Sequence, residues 1–166
     1  MSHIQMADLF IPERIVPALQ AADRHQVIEK LSRLVAMQTE LKKELVRRAV
    51  LSREDLTTFG VGRGVAIPHA LIAGITKPIG AFARLNLTVD FGAADGRPAD
   101  LIALLLIPES AAGLLLPALS CIARRLRDRE VAKLLRAQTT AEAAHAILTT
   151  DLWRGHDPHP ERKYAA

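Results

Sequence analysis

Apolar positions along the chain fall at helical spacing first, at strand spacing in the middle, and at helical spacing again toward the end. Asp23, with Gln26 three residues on, makes a capping box, and Val27, Ile28, Leu31, Leu34 and Val35 follow one helical face. This predicts an amphipathic helix to about Met37. After a break near Thr39, the positions Leu41, Leu45, Val46, Ala49 and Val50 predict a second helix to about Leu51. The alternation Ile79, Ala81, Ala83, Leu85, Leu87 predicts a strand with one polar face, and Val89-Asp90-Phe91 an edge strand or bend. Ala94-Asp95-Gly96-Arg97-Pro98 has turn composition. Leu101 to Ile107 is continuously apolar, as in a strand buried on both faces, and Pro108 stops it.

Helical spacing resumes from Leu114 to Leu126, where Pro117 fits only in the first turn. Asp128 can cap a short helix carrying Val131, Leu134 and Leu135, and Thr139 with Glu142 a last helix ending near Thr150. The order helices, strands, helices predicts the α/β (α+β) class, a mixed sheet with helices packed on it. A single domain is expected over residues 1–151, followed by a polar tail over 152–166.

Between the second helix and the strands lies the segment Thr57 to Ala70, TTFGVGRGVAIPHA. Gly60, Gly62 and Gly64 disfavour a helix and leave the backbone open to close approach. Val65-Ala66-Ile67 then reads as a short buried strand that Pro68 should end. His69 is accordingly expected at the strand's edge, facing solvent. The glycine pattern matches neither phosphate-binding loop, G-x-x-x-x-G-K-(S/T) or G-x-G-x-x-G, so nucleotide binding is not expected.

Composition narrows the classes. The 166 residues are 49% hydrophobic and 24% charged, an ordinary globular profile. No apolar run reaches the roughly 18 to 20 residues that cross a bilayer. The first residues, Met1-Ser2-His3-Ile4-Gln5, lack the layout of a secretory signal. The lone Cys121, in an apolar helical pattern, is expected to be a buried, inert thiol. Together these lead to the expectation of a cytoplasmic protein. The net charge is +4, and Arg124, Arg125, Arg127, Arg129, Lys133 and Arg136 cluster. Asp128 and Glu130 lie among them with no aromatic residue nearby, so a solvated helical face is expected rather than a nucleic-acid surface; an acidic protein partner is the other use this cluster allows.

Six histidines remain to be sorted. His3, His156 and His159 lie near the termini, and His25 and His145 fall in the first and last predicted helices. The pair His156 and His159 lacks a third ligand, so no metal and no cofactor is expected. His69 differs, because it follows a glycine-rich stretch and a buried strand at a sheet edge, where α/β proteins place ligands. A neutral imidazole is a nucleophile when one ring nitrogen keeps its lone pair. Donors for the oxygens of a phosphoryl group could come from glycine amides and from Thr57, Thr58, Arg53 and Arg63. The competing reading is a partly exposed histidine beside a turn.

Arg53-Glu54, then TTFGVGRGVAIPHA, then DGRPADLIALLLIP, closely resembles the enzyme IIA family (type 2: fructose, mannitol, nitrogen-regulatory) of the phosphoenolpyruvate-dependent phosphotransferase system. The nitrogen-regulatory branch looks nearest, and the likeness runs from about Ala7 to Asp151. The resemblance implies a mixed sheet sandwiched by helices. It also implies His69 as phosphoryl acceptor, Arg53 near the phosphoryl oxygens and Thr58 as the hydroxyl ahead of the glycines. Four positions depart from the family. Phe59 stands where threonine is usual, Arg63 where a small polar residue is common, and Leu71 where a polar or basic residue often follows. Leu115 stands where the family commonly has a second histidine, at the start of the helix after Leu101–Pro108.

The resemblance leads to the expectation of a phosphocarrier that takes the group from a histidine-containing phosphocarrier protein. A chain without a fused permease points to regulation of nitrogen metabolism or transport through phosphorylation-dependent binding of a target such as a transporter or sensor kinase. The alternatives are a sugar-specific component passing phosphate to a IIB domain, and a non-catalytic binding module that kept the fold. A weak homodimer completes the partner expectations; nucleic acid and membrane insertion are not among them.

Overall fold

The computed structural model describes residues 4–150. The expected tail at 152–166 lies outside the described residues, as do His3, His156 and His159. In chain order the elements are α1 (Met6–Leu9), β1 (Ile15–Leu19), α2 (Arg24–Gln38), α3 (Lys43–Glu54), β2 (Gly60–Gly62), β3 (Val65–Ala66), β4 (His69–Ile72), β5 (Ile79–Val89), β6 (Ala99–Pro108), α4 (Leu115–Arg127), α5 (Arg129–Arg136) and α6 (Ala141–Thr149). One mixed sheet of six strands runs β1-β5-β6-β3-β2, with β4 also paired to β6. The expected α/β class is therefore found.

The central strand explains the layering. Successive side chains of β6 point to opposite faces, and both faces are apolar. Ile102, Leu104 and Leu106 join the core under α2 and α3. Leu101, Ala103, Leu105 and Ile107 join the core under α4, α5, α6 and the N-terminal segment. Helices thus cover the sheet on both sides. Asp23 starts α2, its carboxylate accepting the Gln26 N–H at 2.9 Å, while the Gln26 side chain accepts from Ala22 rather than from Asp23. Asp128 accepts from the amides of Glu130 and Val131 and starts α5.

Three expectations change. The last helix is capped by Thr140, whose hydroxyl accepts from Ala143, not by Thr139. β5 has no polar face along most of its length: Gly80 and Phe82 are buried opposite Ala81 and Ala83, because α-helical layers cover both sides. Exposure begins only past Arg84, where the register with β6 shifts, and it leaves Leu87 out of the core. Two elements had no expectation at all, α1 and the edge strand β1, which runs parallel to β5. Pro17 argues against a strand in sequence, and an edge is where a sheet tolerates it.

The change that matters most is at Pro68. β3 and β4 both run parallel to β6 in one unbroken register, Val65 opposite Leu101 and His69 opposite Leu105. Pro68 still offers its carbonyl, which accepts the Leu105 N–H at 2.9 Å. Proline here interrupts a donor but not the alignment, so His69 opens a new strand instead of leaving the old one.

Candidate functional site

His69 is consequently buried, 7% exposed, against the expectation of a solvent-facing side chain. Its Nδ1 lies 2.7 Å from the Ile67 carbonyl oxygen. A carbonyl only accepts, so Nδ1 carries the proton and Nε2 keeps the lone pair. Burial pushes the imidazole pKa below its ordinary value; the Ile67 carbonyl opposes this, and the positive charge of Arg53 adds to the lowering. The neutral ring is the favoured form.

The imidazole borders a groove of about 460 Å³. One wall is polar: Arg53 in the last turn of α3, followed by Thr57 and Thr58. Phe59, Val61 and Ile67 surround the histidine, and the facing wall is one side of α4, with Leu115, Leu116, Leu119, Ser120 and Ala123. The structure therefore brings together His69, Arg53, Thr57 and Thr58. It also places Leu115 at the same groove, half-buried against the apolar core.

Arg63 is not among them. It lies at the tip of the β2–β3 hairpin, in the left-handed region at φ 57° next to Gly64 at φ 78°. Its N–H donates to Asp95 at 2.8 Å and its guanidinium to the Arg127 carbonyl at the end of α4 at 3.2 Å. The glycines are packed closely against the chain itself. The Gly60 amide donates to the Phe91 carbonyl, and a Cβ on Gly60 would meet the Ala93 backbone nitrogen at 2.8 Å. The open backbone read from the sequence is filled by the 91–95 loop at Gly60 and Gly62, and by Arg136 and Asp100 at Gly64.

The remaining described histidines are elsewhere. His25 is exposed, 3.9 Å from Glu54, and His145 donates from Nε2 to the Phe10 carbonyl at 3.0 Å. Cys121 is half-buried, its thiol donates to the Ile4 carbonyl, and burial pushes its pKa up, which disfavours the reactive thiolate. In the basic cluster, Arg136 forks onto Asp100 and Arg125 holds the carbonyls of Ile147 and Thr150; Arg124, Arg127, Arg129 and Lys133 are exposed.

A family model described as phosphoenolpyruvate-dependent sugar phosphotransferase system, EIIA 2, matches residues 8–150. The chain belongs to this family. Among its enzyme IIA relatives, the nitrogen regulatory protein of Bradyrhizobium diazoefficiens is 43% identical over 143 residues, 86% of this chain and 94% of that protein. The nitrogen regulatory protein of Pseudomonas aeruginosa is 35% identical over 146 residues, 87% of this chain and 95% of the relative. The crystal structure of nitrogen regulatory protein IIA-Ntr from Neisseria meningitidis superposes with a TM-score of 0.79 at 34% identity, covering 87% of this chain and 98% of that one. IIA mannitol from Escherichia coli shares the fold, with a TM-score of 0.70 at 22% identity over 84% and 99% of the two chains. No helix among the described residues of this enzyme IIA chain is long and apolar enough to cross a membrane.

One groove residue escaped the sequence reading. Ser120 is exposed on the α4 wall, and among the described residues no hydrogen bond engages its hydroxyl. Its only signal in sequence is a hydroxyl inside an otherwise apolar helical face, which reads as ordinary until the groove is seen.

Proposed function

We propose that this enzyme IIA chain is a phosphocarrier that accepts a phosphoryl group on Nε2 of His69. The observation that carries the reading is the Nδ1–H bond to the Ile67 carbonyl beside an open groove. It commits one nitrogen to the backbone and leaves the other as nucleophile. The donor is a phosphohistidine on a small carrier protein. Nε2 forms its bond to phosphorus as the donor's nitrogen–phosphorus bond breaks. This ring takes on the positive charge that the donor ring gives up, so no proton need move. The Ile67 carbonyl stabilises the charged ring through the proton it already holds. In a loose transition state the charge is spread over the three phosphoryl oxygens, and the donor-bearing side chains that line the groove with His69 are Arg53, Thr57, Thr58 and Ser120.

The names of the relatives favour a regulatory output, in which the phosphorylated and free forms bind a target such as a transporter or sensor kinase differently. A sugar-directed component is the second reading, favoured by a 30% match over 155 residues to the fructose-specific EIIABC component of Bacillus subtilis. The test is incubation with phosphoenolpyruvate and the general phosphotransfer proteins, followed by intact-mass measurement. A gain of one phosphoryl group is expected in the wild type, in His25→Ala and in His145→Ala, and none in His69→Ala. Labelling that persists in His69→Ala sinks the assignment.

A further inference from the structure

Both fixed contacts of the His69 ring lead to one residue. Phe59, 2% exposed, meets the imidazole edge-on, with ring centroids 5.2 Å apart and planes at 63°. The Phe59 carbonyl also accepts the Ile67 N–H at 2.9 Å, and the Ile67 carbonyl in turn holds the imidazole Nδ1–H at 2.7 Å. Ring and backbone of the same residue therefore fix the imidazole from two directions.

Phe59 has a second border. Adjoining the groove is a smaller recess of about 180 Å³, formed by Arg24, Glu54, Asp55, Thr57, Thr58, Phe59, Phe91 and Gly92. Its charged groups include the Arg24–Glu54 ion pair, with Nε 2.7 Å from Oε1. Thr57, Thr58 and Phe59 are common to groove and recess; the two threonines are exposed, and Phe59 is buried and packs against the imidazole. A threonine at this position is smaller and has no ring to pack, so it would open the recess and its carboxylates toward the imidazole.

We propose that Phe59 is a positioning residue for His69: its ring locks the imidazole with Nε2 toward the groove and closes the ring's other side to the Arg24–Glu54 recess. The proposal rests on His69 as the acceptor. Its physics is that of a buried aromatic pair, which prefers an edge-to-face geometry and excludes water from a reacting group. On the groove side Arg53 from α3 is the charged side chain that faces His69; α4 presents Leu115, Leu116, Leu119, Ser120 and Ala123, and β2 presents Val61. On the recess side the charged groups are Arg24, Glu54 and Asp55. Removing the partition lets water and those carboxylates favour the protonated ring, and raises its pKa toward the ordinary value.

The experiment uses the full chain with nitrogen-labelled histidine. Ring nitrogen resonances report tautomer and titration of His69 without any phosphotransfer, and intact mass reports phosphorylation rate and phosphohistidine lifetime. In the wild type one tautomer, protonated at Nδ1, is expected to dominate; a mixed population overturns the proposal with no variant needed. Phe59→Leu keeps apolar bulk without the ring, and Phe59→Thr removes both. Both are expected to mix the tautomers, raise the titration midpoint and slow phosphorylation about three- to tenfold, the range an aromatic pair contact is worth. Phe59→Tyr, which keeps the ring, is expected to retain wild-type behaviour. Wild-type tautomer, titration and rate in Phe59→Leu would show that the phenylalanine is only core filling. If the wild type is never phosphorylated on His69, the phosphocarrier reading fails, while the tautomer and titration still decide what Phe59 does to the ring.

Discussion

The His69 Nδ1–H donates to the carbonyl of Ile67, two residues upstream, at 2.7 Å. The chain makes this short link because Pro68 leaves the β6 register intact: the backbone stays extended, and the Pro68 carbonyl is taken by Leu105. The strand's own carbonyl thus selects the tautomer, while the Phe59 ring packs edge-on against the imidazole.

The pKa shift of His69 has a definite sign. Burial lowers it below the ordinary imidazole value of 6.5, so the native ring stays neutral at pH values where the unfolded one is protonated. Phosphorylation is expected to persist below pH 6.5 and to fall only as the pH drops through the lowered value. The stability contribution has the same direction: fully present above 6.5, lost as the pH falls through the native value. Single-turnover rates against pH, with urea melts of wild type and His69→Gln, check both; an acid limb above 6.5 contradicts the assignment.

Arg53→Ala is expected to slow phosphorylation with the fold retained, since the side chain lines the groove wall and, among the described residues, makes no ion pair. One charge-assisted hydrogen bond contributes about 1.5 to 3 kcal/mol, or roughly ten- to a hundredfold in rate when felt fully in the transition state. Thr58→Val should show a smaller loss, since a neutral hydroxyl donor is the weaker partner. An unchanged single-turnover rate in Arg53→Ala would make Arg53 a surface residue.

Leu115 is half-buried at the groove, so a histidine there would both reach the groove and give up apolar contact with the core. Leu115→His is expected to lengthen the life of the phosphohistidine, because it adds a donor on the wall where Ser120 is the polar group. It should also lower stability by about 1 kcal/mol, from lost apolar contact at a half-exposed site. Melting and dephosphorylation measured side by side separate the two. A lower melting temperature with an unchanged lifetime would mean that Leu115 serves the core alone.

Gly60→Ala tests the close approach of the 91–95 loop. The added Cβ would lie 2.8 Å from the Ala93 backbone nitrogen, so backbone must move and not a flexible side-chain end. A loss of about 1 to 3 kcal/mol is expected, the usual cost of overpacking. Denaturant midpoints of the wild type and Gly60→Ala read it; wild-type stability in the variant would show that the loop yields freely.

Local pattern was enough for most elements, because amphipathic periodicity and caps act over a few residues. Asp23 starting α2, Pro117 in the first turn of α4 and the doubly buried β6 are all legible from neighbours in sequence. The motif around His69 and the length of its likeness were enough for the family. Contacts distant in sequence decided the rest. The burial of His69 depends on Leu105 carrying β4 past Pro68, and the displacement of Arg63 from the site on Asp95 and the end of α4. Ser120 and Phe59 take on their meaning only when α4 and β2 close around one imidazole. Spacing along a chain encodes which face a side chain occupies; which groups then share a groove is set by packing between elements, and that is a property of the folded molecule.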